Sequence, residues 1–202
     1  MLRALALLPL LAVALPAARA EAPVPARSPP SSWSEEGYQQ LRFGMGTGDV
    51  EEALRKGEGP LFLEKDKGLE TQTPMPGITL ATPGYSSINV AGRKASAVVL
   101  GFWQGGLYLV AIVLSAGDKD PGSAEWFKEA SRLLTLKYGA PGPCGKDECN
   151  WKKGDLGVHV GISAEAGDAI AGLEYKSVSR SAKVDAAIEA VKKGAGDATK
   201  DL

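Results

Sequence analysis

The chain is poor in the residues that most site chemistry needs. Among 202 residues it has one histidine, His159, two cysteines and only 6% aromatics. A single histidine leaves no Cys/His zinc set without carboxylates to complete it. Any Ser-His-Asp or Cys-His mechanism would have to run through His159, which lies mid-strand in Gly157-Val-His-Val-Gly161. No motif near it supplies both an orienting carboxylate and a nucleophile, so His159 reads as a strand-surface residue. Positive charge is also scarce. Without the two arginines of the N-terminal leader, 21 basic residues face 24 acidic ones, which argues against a nucleic-acid surface. Beyond the leader no apolar run is long enough to span a membrane, which takes about twenty residues.

Phosphate and calcium motifs are incomplete. Gly44-Met-Gly46-Thr-Gly48-Asp49 precedes a helix, but the Lys-Ser/Thr ending of a P-loop is absent and the dinucleotide fingerprint needs another spacing. The loop reads as a helix approach. Asp118-Lys-Asp120 opens like a calcium loop, yet Pro121-Gly-Ser123 lacks the further ligands. No catalytic residue, cofactor or metal ligand is therefore assigned. Paired carboxylates for hydrolysis remain open, because their pairing is spatial.

The N-terminus carries the clearest signal. Met1-Leu-Arg3 is followed by a stretch of about a dozen apolar residues and the ending Ala18-Arg-Ala20, the three parts of a cleavable secretory signal. Cleavage is expected after Ala20. Position 21 is Glu, so no lipid anchor is expected, and the product should be periplasmic or extracellular. In that setting Cys144 and Cys149, with four residues between them, read as a disulfide worth about 2 kcal/mol on the chain-entropy model.

The organisation that follows is a Pro/Ser-rich linker over 21–37, one domain over 38–193 and a disordered tail over 194–202. A helix is predicted over Thr47–Lys56 with Val50, Ala53 and Leu54 on one face. Short strands are read at Leu61–Leu63 and Ile78–Leu80. Ala97–Trp103 and Leu107–Leu114 form a hairpin around Gln104-Gly105-Gly106. Neither hairpin strand alternates apolar with polar residues, so it should be covered on both faces, or else present one apolar face to a partner. Asp120-Pro121 is read as the start of a second helix with Phe127, Ala130, Leu133, Leu134 and Tyr138 inward, stopped by Gly139 and Pro141. Strands at Asn150–Lys152, Leu156–Ile162 and Ile170–Val178 follow, then a helix over Ser181–Lys193 with Val184, Ala187, Ile188 and Val191 inward. Strands come in groups with helices between, which points to an α+β fold: a small, mostly antiparallel sheet with about three helices packed on it.

Two stretches carry a family resemblance. Leu41-Arg-Phe-Gly-Met-Gly-Thr-Gly-Asp-Val50, leading into Glu51-Glu-Ala-Leu54, resembles the opening helix of small exported domains. These are the SmpA/BamE-type outer-membrane assembly lipoproteins and the β-lactamase-inhibitor-like repeats. Leu134-Thr-Leu-Lys-Tyr-Gly-Ala-Pro141, with Trp151 ahead, is similar to a segment of many bacterial envelope proteins. The resemblance implies a fold and carries over no functional residue. The expectation is thus an exported, non-catalytic binding or envelope-maintenance protein whose partner is an envelope protein, a peptide or an apolar ligand. A hydrolase using dispersed carboxylates and a purely structural envelope component are the alternatives. Of the four tryptophans, Trp103 and Trp151, with Tyr108, are the candidates for a partner-binding rim.

Overall fold

The structure is a computed structural model that describes residues 37–57, 59–64, 66–115, 123–165 and 168–198. Its frame is one seven-stranded sheet, antiparallel at every pairing. In chain order the elements are β1 (Gly37–Tyr38), β2 (Leu41–Arg42), α1 (Thr47–Lys56), β3 (Leu61–Phe62), β4 (Glu70–Met75), β5 (Ile78–Thr82), β6 (Tyr85–Ser86), β7 (Asn89–Val90) and β8 (Arg93–Lys94). There follow β9 (Ala97–Trp103), β10 (Gly106–Ser115), α2 (Ser123–Tyr138), β11 (Glu148–Lys153), β12 (Leu156–Glu165), β13 (Asp168–Ser177) and α3 (Val178–Ala198). The fold class is α+β as expected, but the sheet is larger than the few strong strand signals implied.

Across the sheet the order is β11-β12-β13-β10-β9-β5-β4. Two meanders, β5-β9-β10 and β11-β12-β13, therefore meet at the central β10–β13 pair, each preceded in the chain by a helix. Topologically the halves are related by a two-fold axis beside Ile112, which faces Leu173. Helix α3 and the extra edge strand β4 break the relation.

The first face of the sheet holds the main core. Val98, Leu100 and Phe102 of β9 and Val110, Ile112 and Leu114 of β10 pack with Val158, Val160, Leu173 and Tyr175 under α1 and α2. Helix α1 presents Val50 and Leu54, as its spacing predicts. Helix α2 presents Trp126, Ala130 and Leu134, at i, i+4, i+8. Leu133, expected inward, is 42% exposed, because the buried stripe turns through Trp126 instead and leaves Leu133 on its far flank. The Trp126 indole N–H donates to the Val90 carbonyl at 2.9 Å, which ties the 83–96 excursion to α2. Gly139, in the left-handed region at φ 86°, ends α2 as expected.

Among the described residues, α3 is the helix that covers the second face. Val184 and Ile188 of α3 pack with Ile78, Tyr108, Met75, Leu80, Trp103 and Leu109. These contacts reach Met75 of the edge strand β4; further along, the helix has no sheet left to cover. Val191, expected inward, is accordingly 52% exposed. The helix starts three residues earlier than predicted, so that Val178 opens it rather than ending β13. It also continues to Ala198, so the first five residues of the segment read as a disordered tail are helical. The two glycines there cost about 1 kcal/mol each against alanine, which weakens a helix without ending it.

The start of α3 is fixed from a distance. Ser177 lies just before it, and its hydroxyl accepts from Arg180 N–H at 3.3 Å and donates to Asp155 in the β11–β12 turn. Asp155 accepts from Ser179 N–H at 2.8 Å, so a residue 24 positions away caps this helix.

Cys144 and Cys149 are disulfide-bonded. Among the described residues no helix is long and apolar enough to cross a membrane. The predicted leader, the linker up to residue 36, Trp33, the Asp118–Asp120 motif and the Asp120-Pro121 helix start lie outside the described residues, and the linker's last residue, Gly37, opens β1.

Candidate functional site

Because successive side chains of a strand alternate between faces, the register assigns each position on the second face. Two rows there cross five strands outside the cluster beneath α3. One is Asn150, His159, Glu174, Ala111 and Val99; the other is Glu148, Gly161, Gly172, Val113 and Ala97. A third row, Lys152, Gly157, Lys176 and Leu109, runs into the covered cluster at Leu109.

On β11, β12 and β13 these rows form a three-by-three array with His159 at its centre. Gly157 and Gly161 flank it along its own strand, Asn150 and Glu174 across the sheet. Glu148, Lys152, Gly172 and Lys176 take the corners. The His159 side chain is 11% exposed, with Nε2 3.6 Å from a Glu148 carboxylate oxygen. The imidazole lies over Gly161: a Cβ there would come within 2.9 Å of His159 Cε1. Glycine at 161 thus makes room for the ring to lie flat and reach Glu148.

The array offers carboxylate acceptors, ammonium and amide donors and a histidine, and at Gly172, where an added Cβ would meet only the Ile112 carbonyl, it leaves room for a ligand to approach the backbone. Ala97, Val99, Ala111 and Val113 continue it as small apolar side chains. Such a surface can hold an extended polar chain with small side groups. None of the nine array positions is Ser, Thr or Cys, so hydrolysis there would have to run through the Glu148 and Glu174 carboxylates. Among the described residues no group of three or more His, Cys, Asp or Glu could hold a metal ion.

The three rim candidates do not form a rim. Tyr108 and Trp151 are 5% and 3% exposed, on opposite faces of the sheet. Trp151 lies in the first-face core, its indole N–H donating to the Gly139 carbonyl at 3.1 Å. Tyr108 is displaced by a bulge in β10 between Leu107 and Leu109, so its ring shares the second face with Leu109. Gly101 opposite leaves space for it, since a Cβ at 101 would lie 3.0 Å from the Tyr108 ring. Burial, then the nearby Asp185 and Glu174 carboxylates, push the Tyr108 hydroxyl up to about 12. Trp103 is half-buried against Gly77, in the cluster under α3.

The glycine loop before α1 is accounted for structurally. Gly44 N–H donates to the Leu107 carbonyl and Leu107 N–H to the Met45 carbonyl, each at 2.8 Å, which fastens the loop to β10. At the helix start, where an anion would sit, Gly46 N–H donates to the Asp49 carboxylate at 3.2 Å.

His159 was visible in the sequence, but its surroundings were not. Glu148 and Asn150 come from β11 and Glu174 from β13, and only the register brings them together. The one local sign is the Gly-x-His-x-Gly spacing, which marks a strand with space on one face. Comparison with known proteins finds no family model, curated protein or solved structure that matches this chain.

Proposed function

We propose that this is an exported, non-catalytic binding protein of the cell envelope, and that it binds through the open part of its second sheet face. The observation that carries the reading is the split of that face. Helix α3 covers the Ile78–Tyr108–Trp103 region, while the array around the buried His159 lies outside that cluster, half-buried at Glu148, Glu174 and Lys176 and exposed at Asn150 and Lys152. A polar array next to Ala and Val positions favours a peptide or an extended protein segment over a purely apolar ligand. Export is supported by the N-terminal leader pattern and the Cys144–Cys149 bond.

The test is differential capture from an envelope extract on immobilised wild-type protein and on Gly172→Arg. At Gly172 an added Cβ meets only the Ile112 carbonyl, at 3.4 Å, so the variant should fold. A partner held by the wild type and lost by a folded Gly172→Arg supports the reading. Equal capture by both, or none above background, overturns it.

A hydrolase is the second reading, favoured by one observation: Glu148 and Glu174 lie on either side of His159, and Glu148 is within 3.6 Å of it. A broad panel of peptide, ester and glycoside substrates tests it. Turnover abolished by both Glu148→Gln and Glu174→Gln would establish it, and an inert panel would remove it.

A further inference from the structure

Sheet edges carry a row of backbone groups ready to pair with another chain, and proteins blunt them in different ways. The two edges of this sheet are handled differently. Edge strand β4 is polar along Thr71 and Gln72, irregular between Gln72 and Met75, and contains Pro74. Those features discourage a further strand directly.

The β11 edge is covered by its own preceding loop. The chain after Gly139 turns back along the strand: Gly142 N–H donates to the Asn150 carbonyl at 2.7 Å and Gly145 N–H to the Glu148 carbonyl at 2.9 Å. These bonds also identify the residues of β11 whose backbone faces outward. By the alternation of an antiparallel ladder they are Glu148, Asn150 and Lys152. The Cys144–Cys149 bond fastens the covering loop to the strand it covers. Cys144 is exposed, whereas Cys149 sits in the first-face core. Pro141 and Pro143 lack an N–H, so the loop is poorly suited to extend the sheet itself.

The outward row reads acid, amide, base. If two copies of β11 pair antiparallel about Asn150, each Asn150 faces the other. Each Glu148 then faces Lys152 of the second copy. Those three positions are also the ones whose N–H and C=O groups point outward, so the charge register and the hydrogen-bond register coincide. Opposite charges directly across strands stabilise such a pairing, and like charges oppose it.

We propose that the β11 edge is a self-association surface for a second copy of this chain, held closed by the Cys144–Cys149 bond and opened by a dithiol reductant. One thiolate of the reductant attacks the exposed Cys144 sulfur, and Cys149 leaves as a thiolate and takes up a proton. The second thiol of the reductant then displaces Cys144, which leaves as a thiol. Two cysteine thiols and one reductant disulfide result. The loop is then tied to the strand by backbone bonds alone and gives way to the second copy. This surface shares Glu148, Asn150 and Lys152 with the array argued above but does not rest on that reading, because its test reads mass rather than ligand.

The experiment is light scattering on the full chain after size exclusion, oxidised and in dithiothreitol, at equal concentration. The oxidised protein should run as a monomer and the reduced protein should double in mass. Glu148→Lys and Lys152→Glu should each weaken the reduced dimer by about tenfold, and the combined Glu148→Lys/Lys152→Glu variant should restore it. A reduced, folded chain that stays monomeric overturns the proposal. So does a dimer indifferent to all three variants, or an oxidised chain that dimerises equally well. If dithiothreitol unfolds the chain, Cys144→Ala/Cys149→Val carries the test, since it removes the bond and fills the buried Cys149 site with an apolar side chain. A dimer of this variant without reductant supports the proposal, and a folded monomer overturns it.

Discussion

On its second face the sheet is two surfaces in one. Over β5, β9 and β10 it is apolar and closed by Val184 and Ile188 of α3, and Gly101 there admits the bulged Tyr108 ring. Over β11, β12 and β13 it is glycine, histidine and charge, and Gly161 there admits a histidine that lies flat beside Glu148. Both halves set a ring against a glycine, across the strands at Gly101 and along one strand at Gly161, with different results. Under the helix the ring fills core, while on the open side it leaves a polar surface. One helix across one side of a sheet is enough to divide a face into a half closed by its side chains and a polar half outside them.

The contrast between faces should be largest at neighbouring residues of one strand. Leu173 points into the first-face core and Glu174 to the open array. Leu173→Ala should cost about 2–5 kcal/mol, whereas Glu174→Ala should stay within about 0.5 kcal/mol. Denaturant unfolding of both variants measures it, and equal costs would mean that the open half is covered after all.

Between the halves, Gly101→Val and Gly161→Val form the sharper pair. At 101 the new side chain meets Leu109 Cβ and the Tyr108 ring beneath α3, so overpacking of about 1–3 kcal/mol is expected. At 161 it meets the edge of the His159 ring, which can swing towards solvent. The cost at 161 should be visibly smaller and should come with displaced His159 resonances. A Gly161→Val midpoint lowered as far as that of Gly101→Val would break the comparison.

The smallest effect concerns the tie between them, since Asp155 of the open half caps the helix that closes the other. Asp155→Ala should cost about 1 kcal/mol. Burial pushes the Asp155 carboxyl up, but bonds from the Ser177 hydroxyl and Ser179 outweigh it and hold the group below the usual carboxylate value. A depressed folded value means that the contribution is full above the unfolded carboxylate range and is lost as pH falls through the folded value. The stability difference between wild type and Asp155→Ala should therefore shrink on acidification below about pH 4. A difference that does not change with pH would leave the cap as geometry alone.

How much of this was readable beforehand depends on the reach of each interaction. Helix α1 matched its prediction over Thr47–Lys56 because Val50, Ala53 and Leu54 repeat locally and the stop lies one residue on. The β9–β10 hairpin matched because two apolar runs flank a Gly-rich turn, and of the two outcomes their lack of alternation left open, the first face is buried while the second is covered by α3 only in part. Strand β4 was missed: Glu70-Thr-Gln-Thr-Pro-Met75 has no apolar period, and only pairing with β5 makes it a strand. The rim residues were misread because sequence does not say which face a side chain takes when a bulge shifts the parity, as at Tyr108.

The sequence by itself determined the α+β class, the α1, β9 and β10 elements and the cysteine pairing, since each follows from periodicity or from a short span of chain. The tertiary structure alone decided that β13 pairs with β10 rather than with an edge. It decided too that α3 closes half of one face, and that Glu148, Asn150 and Glu174 gather around His159. Those arrangements depend on strand order and on a one-residue register, and a shift of one residue would turn each of these side chains to the opposite face.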